Sequence, residues 1–460
     1  MKKIALGLLL LIAISNVFGD GAKYLIIVRD NFFDAVQPLA QWKQKKGIST
    51  KVVKISEIGT GPEAIKSYIT NAYRDWISKP EYILLVGDIN QIKPYQHSFC
   101  GPTDNPYADV EGDAQLEIAI GRLPCRTRSQ LKIMINKIFL YERRPYLVDT
   151  LWYRKATTVR QDPGPYHNAG VEFVRSMILN NSDFTSVDTL VVPTDDRWNL
   201  RDSINQGRSY ILYTGHSGGP RWASPFNMSP TTKNYNRLPV IFSWCCQTVM
   251  RNNYIGQQWL KTGSLKKQKG AVAFIGTTTS GLYAPYRNFV ARNFFRAVFE
   301  DKVFNIGKAL KVGLDSFWTY TPDSFGMTLY SEWNLMGDPE MNLWTTVPQP
   351  MNVTYDSIIP LGQQNFSVSV TSQDGALIKN ALVCLMMPNN PNFYYVSHTD
   401  QYGHLSFNIE PMIQDSIWIT VTAQNRIPYE GKCLVGSSVS KSFIGQEPID
   451  KKHLFFRDEK

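Results

Sequence analysis

The sequence predicts an α/β region built on a parallel sheet, followed by a small β-sandwich. Three observations predict it. As far as Trp344, short apolar runs alternate with stretches of helical spacing. Several of those runs end on Gly or on a chemically capable residue, as strands of a helix-covered parallel sheet do. After Trp344 the pattern changes to short alternating segments broken by frequent turns.

In chain order, Lys23–Val28 is the first predicted strand. Asp34–Lys46 has helical spacing through Ala35, Leu39 and Trp42, and stops at Gly47. Ser49–Val53 is a strand, Gly61–Ile77 an amphipathic helix, and Tyr82–Val86 a strand closing on Gly87-Asp88. Ile118–Arg122 reads as a strand and Ser129–Tyr141 as a helix. A second subdomain begins near Trp152. It has a strand at Lys155–Val159, a helix at His167–Leu179 and a strand region at Thr185–Val192. Strands at Ser209–Thr214, Leu238–Trp244 and Ala271–Gly276 follow, then helices at Asn288–Phe299 and Gly307–Ser316. Val347–Pro350 looks like a linker. Phe366–Val370, Ala381–Leu385 and Ser416–Val421 are the clearest strands of a sandwich of immunoglobulin-like type. The predicted division is 1–19 signal peptide, 20–150 and 151–346 two α/β subdomains, 347–434 sandwich and 435–460 polar tail.

At 460 residues the chain can hold two or three domains with proper cores. Its 43% hydrophobic and 12% aromatic content excludes a disordered chain. A net charge of +10, spread along the sequence, gives no nucleic-acid footprint. Met1-Lys2-Lys3, then an apolar run from Ile4 to Ile14 and Val17-Phe18-Gly19, has the organisation of a secretory signal. No later stretch is long and apolar enough to span a membrane. The expected mature chain starts near Asp20 and is secreted, periplasmic or held at the cell surface. In an exported protein, Cys100 with Cys125, and Cys384 with Cys433, are candidate disulfides. The Asp-rich segment Thr103–Asp113 offers oxygen ligands for a structural calcium ion, but its spacing is not an EF-hand loop and solvated turn residues are the better reading. No cofactor is otherwise required.

The chemistry concentrates between Ser209 and Met250. One strand delivers Gly215-His216-Ser217-Gly218-Gly219, and the next delivers Cys245-Cys246. A thiol beside an imidazole gives a thiolate nucleophile and an imidazolium able to protonate a leaving amine. Adjacent cysteines at a strand end point to opposite sides, one inward and one toward a site. On spacing alone, a core reading of these residues stays open beside the catalytic one. The Gly-x-Ser-x-Gly pattern also admits a hydrolase with Ser217 as nucleophile. That fold needs a later His in the same domain, and His398, His404 and His453 lie in the sandwich or the tail. The same letters fit a chymotrypsin-like loop, but those enzymes are double β-barrels, whereas strands and helices alternate here.

Five segments, in this order, carry a family resemblance. They are Tyr82–Asp88 (YILLVGD), Glu117–Arg122 (EIAIGR), Tyr213–His216 with Trp222, Pro239–Cys246 (PVIFSWCC) and Leu335–Pro339 (LMGDP). Through them the chain resembles the gingipain family of cysteine peptidases from about Lys23 to Trp344, and continues into a similar immunoglobulin-like domain. The resemblance implies a caspase-like α/β catalytic fold and cleavage of protein or peptide substrates by a Cys-His dyad through an acyl-enzyme. It implies His216 as base and Cys246, not Cys245, as nucleophile. It also implies Asp162 as the supporting acid, although an Asx-turn cap is an equal reading of that residue. Backbone N–H groups of Ser217 and Cys246 would form the oxyanion hole. Ser217 stands where the family usually has Gly. Glu172, Trp222 and Thr279 are the specificity-pocket candidates, and Phe173 competes with Glu172 for the selecting position. The short interval before Lys23 leaves no room in this sequence for a long inhibitory propeptide. A non-catalytic surface or adhesion protein, working through its sandwich, is the alternative.

Overall fold

The computed structural model describes residues 21–436 apart from 162, 163, 229, 282 and 283. The proposed signal peptide, Asp162 and nearly all of the proposed tail therefore lie outside the described residues. The first part of the chain contains β1 (Tyr24–Val28), α1 (Phe33–Lys45), β2 (Thr50–Lys54), the one-turn α2 (Ile55–Ile58), α3 (Pro62–Asp75) and β3 (Tyr82–Val86). A small hairpin, β4 (Tyr95–His97) and β5 (Gly101–Thr103), precedes β6 (Ala119–Leu123) and α4 (Arg128–Ile138). Next come β7 (Lys155–Arg160), α5 (Pro165–Asn181), β8 (Ser186–Val191), α6 (Arg197–Gln206), β9 (Tyr210–Thr214) and β10 (Val240–Trp244). The region closes with α7 (Ile255–Lys261), β11 (Ala273–Thr277), α8 (Ala284–Phe299), α9 (Ile306–Tyr320), α10 (Ser324–Glu332) and β12 (Trp333–Met336).

These strands form one continuous ten-stranded sheet in the order β2-β1-β3-β6-β12-β11-β10-β9-β7-β8. The two expected subdomains are its two halves, joined through β12. β1, β3, β6, β9, β10 and β11 are buried along their whole length, which is why they read as mostly apolar runs, with Arg122 of β6 the charged exception. β12 runs antiparallel to β11, with Thr277 opposite Trp333 and Phe274 opposite Met336. Glu332 therefore lies at the carboxyl end of β11, and Asp338 beyond its opposite end.

At that opposite end Asp338 accepts from Tyr24 Oη at 2.7 Å and pairs with Lys43 at 2.7 Å. Lys43 also meets Glu142 at 2.7 Å and Glu340 at 2.6 Å, and Lys46 bonds to both of these acids. Burial opposes the Lys43 charge, but Asp338, Glu142 and Glu340 overcome it and hold its pKa well above the ordinary value. Glu142, Asp338 and Glu340 are close enough together to hold a metal ion. The two ammonium groups already serve these carboxylates. In the Asp-rich turn, Asp104 makes a bidentate pair with buried Arg122, at 2.6 and 2.7 Å. Asp109 and Asp113 accept from the turn N–H groups of Gly112 and Gln115.

The remaining strands are β13 (Met351–Thr354), β14 (Ile358–Ile359), β15 (Gln364–Ser372), β16 (Leu382–Met387), β17 (Asn390–His398), β18 (His404–Ile409), β19 (Ser416–Thr422) and β20 (Tyr429–Val435). They form sheets β13-β15-β18 and β14-β20-β19-β16-β17. Inward-facing Phe366, Val368, Val370, Ile417, Ile419 and Val421 fill the space between them. The join from the first region is pinned. Gln349 N–H donates to Asn425 O at 3.0 Å, and Asn425 Nδ2 donates to Thr345 Oγ1 at 2.8 Å. All six cysteines are free thiols, so neither candidate disulfide forms. Cys100 Sγ instead donates to Thr328 O at 2.9 Å, and Cys384 faces Gln44 O at 3.8 Å. No helix among the described residues is long and apolar enough to cross a membrane.

The sandwich docks through Glu430, which takes Arg143 in a bidentate pair at 2.6 Å and Lys45 at 2.5 Å. Burial works against the Glu430 charge, but Arg143 and Lys45 outweigh it and hold the carboxyl at about 2. Its stabilisation is therefore full above the unfolded carboxyl value of 4.5 and is lost as pH falls from there toward 2. Glu430→Gln is expected to cost on the order of 2–3 kcal/mol in urea unfolding near pH 6, a gap that closes by about pH 2. An equal gap at both pH values would show that the Glu430 charge does not hold this contact.

Candidate active site

β9, β10 and β11 are parallel neighbours whose ends are level, with Trp244 opposite Thr214 and Ser243 opposite Gly276. The loops that follow therefore leave from one place, beyond the carboxyl ends of the strands. Gly215 opens the first loop at φ 143°, and a Cβ there would sit 2.6 Å from Gln161 Cβ. Glycine meets both requirements. Gln161, just after β7, clamps this loop. Its Oε1 accepts the His216 N–H at 3.0 Å, and its Nε2 donates to Ser224 O at 3.1 Å. Tyr213 Oη donates to His216 O at 2.9 Å. His216 itself is exposed, on an open cleft of about 560 Å³ that is also lined by Ser217, Arg221, Trp222, Ser224 and Asn227.

Trp222 combines lining with support. It is buried, stacks on Tyr213 at 4.4 Å with the rings 7° apart, and donates to Ser243 Oγ at 2.9 Å. The Ser217 hydroxyl is spent within its turn, donating to Arg221 O at 3.0 Å and accepting from Gly219 N–H at 3.2 Å. That commitment weighs against Ser217 as a nucleophile.

The two thiols are in unlike surroundings. Cys245 is fully buried with Sγ 3.3 Å from Ser243 Oγ, and burial pushes its thiol up to about 12. Such a sulfur stays protonated and inert. Cys246 is half-buried, and Arg287 Nη1 donates to its Sγ at 3.3 Å. Arg287 is buried on α8 and makes a bidentate pair with the fully buried Glu332, at 2.9 and 2.7 Å. Burial opposes the Arg287 charge, but Glu332, and after it the Cys246 sulfur, hold its pKa above the ordinary value. A fixed cation thus faces the Cys246 sulfur.

The loop after Cys246 is stitched to β11. Gln247 takes φ 53°, and its N–H donates to Thr279 O at 3.1 Å. Thr279 O also accepts from Arg287 Nη2 at 3.2 Å, and Thr277 Oγ1 donates to Cys245 O at 2.6 Å. Thr279 is buried, whereas Glu172 is exposed on α5, 3.9 Å from Arg175. Phe173 lies under the Arg292 guanidinium at 4.1 Å. Sequence reasoning missed Gln161, Arg287 and Glu332.

The family model described as peptidase family C25 matches residues 19–344, most of the chain and the whole of the sheet region. This chain belongs to peptidase family C25. Among curated relatives, Gingipain R2 of Porphyromonas gingivalis is 26% identical over 394 residues, covering 79% of this chain and 53% of its own length. Gingipain R1 of the same organism is 26% identical over 372 residues, covering 76% of this chain and 37% of its own length. The chain thus spans about half the length of these relatives, or less. A crystal structure of the Arg-specific cysteine proteinase gingipain R superposes with a TM-score of 0.80 at 21% identity, covering 91% of this chain and 98% of that one. This C25 chain therefore has the gingipain R fold, and the overlap extends beyond the sheet into the sandwich.

If Arg287 and Glu332 support each other as a buried pair, Glu332→Gln should destabilise the protein by about 3–5 kcal/mol in urea unfolding. The apolar double replacement Arg287→Met/Glu332→Leu should recover most of that loss. Additive losses in the double variant would show that the two groups act independently.

Proposed function

We propose that this C25 protein is an exported cysteine endopeptidase in which Cys246 and His216 perform the chemistry. The supporting observation is their placement at the carboxyl ends of adjacent strands β10 and β9, with Cys246 the outward member of the thiol pair. Cys246 Sγ attacks the scissile carbonyl carbon, and the resulting oxyanion is received by the backbone N–H groups of Ser217 and Cys246. His216, having accepted the thiol proton, gives it to the leaving amine, and an S-acyl enzyme remains. His216 then takes a proton from water as that water attacks the acyl carbon, and the thiol is regenerated with release of the acid. Asp162 is assigned to hold the imidazole and stabilise its charged form. Arg287 holds the sulfur between turnovers.

Protein or peptide chains are the substrates. The N-terminal segment, residues 1–19, is read as the export signal, and the sandwich as the part available for association with a cell surface. Trp222 and Thr279 remain candidates for the specificity pocket. Glu172, exposed and beside Arg175, provides no buried acid for the Arg preference carried by gingipain R.

A peptidyl acyloxymethyl ketone should label Cys246 and block cleavage of a mixed peptide library. His216→Ala should lower kcat/KM by about 10²–10⁴-fold. No labelling together with no cleavage would favour an adhesive role, and labelling of Ser217 by a fluorophosphonate would replace Cys246 as nucleophile.

A further inference from the structure

Beside the His216 cleft lies a second depression of about 190 Å³, lined by Arg197, Trp198, Arg201, Arg221, Asn227 and Met228 together with Thr231. Arg221 and Asn227 border both, so the two are contiguous. Three guanidinium groups line this space and no carboxylate does. Arg197 and Arg201 hold their guanidinium carbons 4.8 and 4.6 Å from the ring of Trp198, which is 49% exposed. Stacking of this kind orders long side chains that would otherwise be free.

Of the acids nearby, only Asp202 pairs with a lining guanidinium, and none lines the depression. Asp196 caps α6 by accepting from the N–H groups of Trp198 and Asn199, and Asp195 accepts from Val191 N–H at 3.0 Å. Exposed Asp202 pairs with Arg201 at 3.0 Å. Neither Arg197 nor Arg221 pairs with a carboxylate among the described residues. The volume is below the roughly 300 Å³ at which whole small-molecule sites begin, and suits a side chain of a longer ligand.

We propose that this arginine-lined depression is a substrate subsite that receives an acidic side chain, Glu or Asp, of the peptide lying in the His216 cleft. The assignment rests on the peptidase reading and extends it to a substrate class: peptides with a carboxylate a few residues from the cleaved bond. Guanidinium groups take carboxylates in paired hydrogen bonds, and Trp198 packs on the methylene stem. Because the site is open to water, the preference is modest and sensitive to salt.

The test uses the full-length protein and fluorogenic peptides that place Glu or Gln at each position on either side of a fixed cleavage residue. At one position or two adjacent ones, the Glu peptide should be cleaved with about fivefold higher kcat/KM, mostly through KM. High salt should erase the difference. In Arg197→Gln/Arg201→Gln, and separately in Arg221→Gln, the Glu-to-Gln ratio should fall toward one. A ratio of one at every position in the unaltered protein, or a ratio unchanged in both variants, would overturn the subsite. Binding of the same peptides to Cys246→Ala protein, read by tryptophan fluorescence, separates this proposal from the peptidase reading. If no peptide is cleaved, the peptidase reading fails, and the Glu-to-Gln affinity ratio alone decides the subsite.

Discussion

The site depends on a charge buried at the end of a strand. Glu332 is fully buried where α10 passes into β12, and an isolated carboxylate there would cost several kcal/mol. Arg287 supplies the compensating charge with two hydrogen bonds, and the same guanidinium reaches Cys246 Sγ and Thr279 O. One buried pair thus fixes α8, β12, the loop after β11 and the loop after β10 relative to one another. Because β12 runs against β11, its other end carries Asp338 to Lys43 and Tyr24 on the far side of the sheet. The strand that joins the two halves of the sheet is anchored by charge at both ends, and only one of those anchors touches Cys246.

Adjacent cysteines at a strand end are an economical way to separate roles. Alternation sends Cys245 into the core, where burial keeps it protonated, and leaves Cys246 toward the loops and the Arg287 cation. The Ser217 hydroxyl, which the Gly-x-Ser-x-Gly letters advertise, is used to close its own turn. Surroundings, more than residue type, set these three side chains apart.

Much of the architecture was legible because the central strands are buried on both faces and write themselves as apolar runs. The missed elements lack that signature. α6 carries only Leu200 and Ile204 as buried anchors in an otherwise polar stretch. β12 is four residues long with Asn334 in the middle, whose amide is satisfied by Ser331 and Glu332 carbonyls and by Asp104 N–H. The candidate disulfides do not form, and β19 lies between the strands that carry Cys384 and Cys433. The strand ends that carry His216 and the Cys245-Cys246 pair were legible as apolar runs, whereas the choice of Cys246 over Cys245 came from the family resemblance alone. Gln161, Arg287 and Glu332 were not legible, since each acts on a residue 41 to 55 positions away, and no local pattern records such a meeting.

The most direct test of the account is to trap the acyl-enzyme. The protein is mixed with an activated peptide ester, quenched in acid within a turnover and mapped by mass spectrometry. The account predicts one acyl group, carried on Cys246 and absent from Cys245. An acyl group on Cys245 or on Ser217, or turnover of the ester with no covalent intermediate, would contradict it.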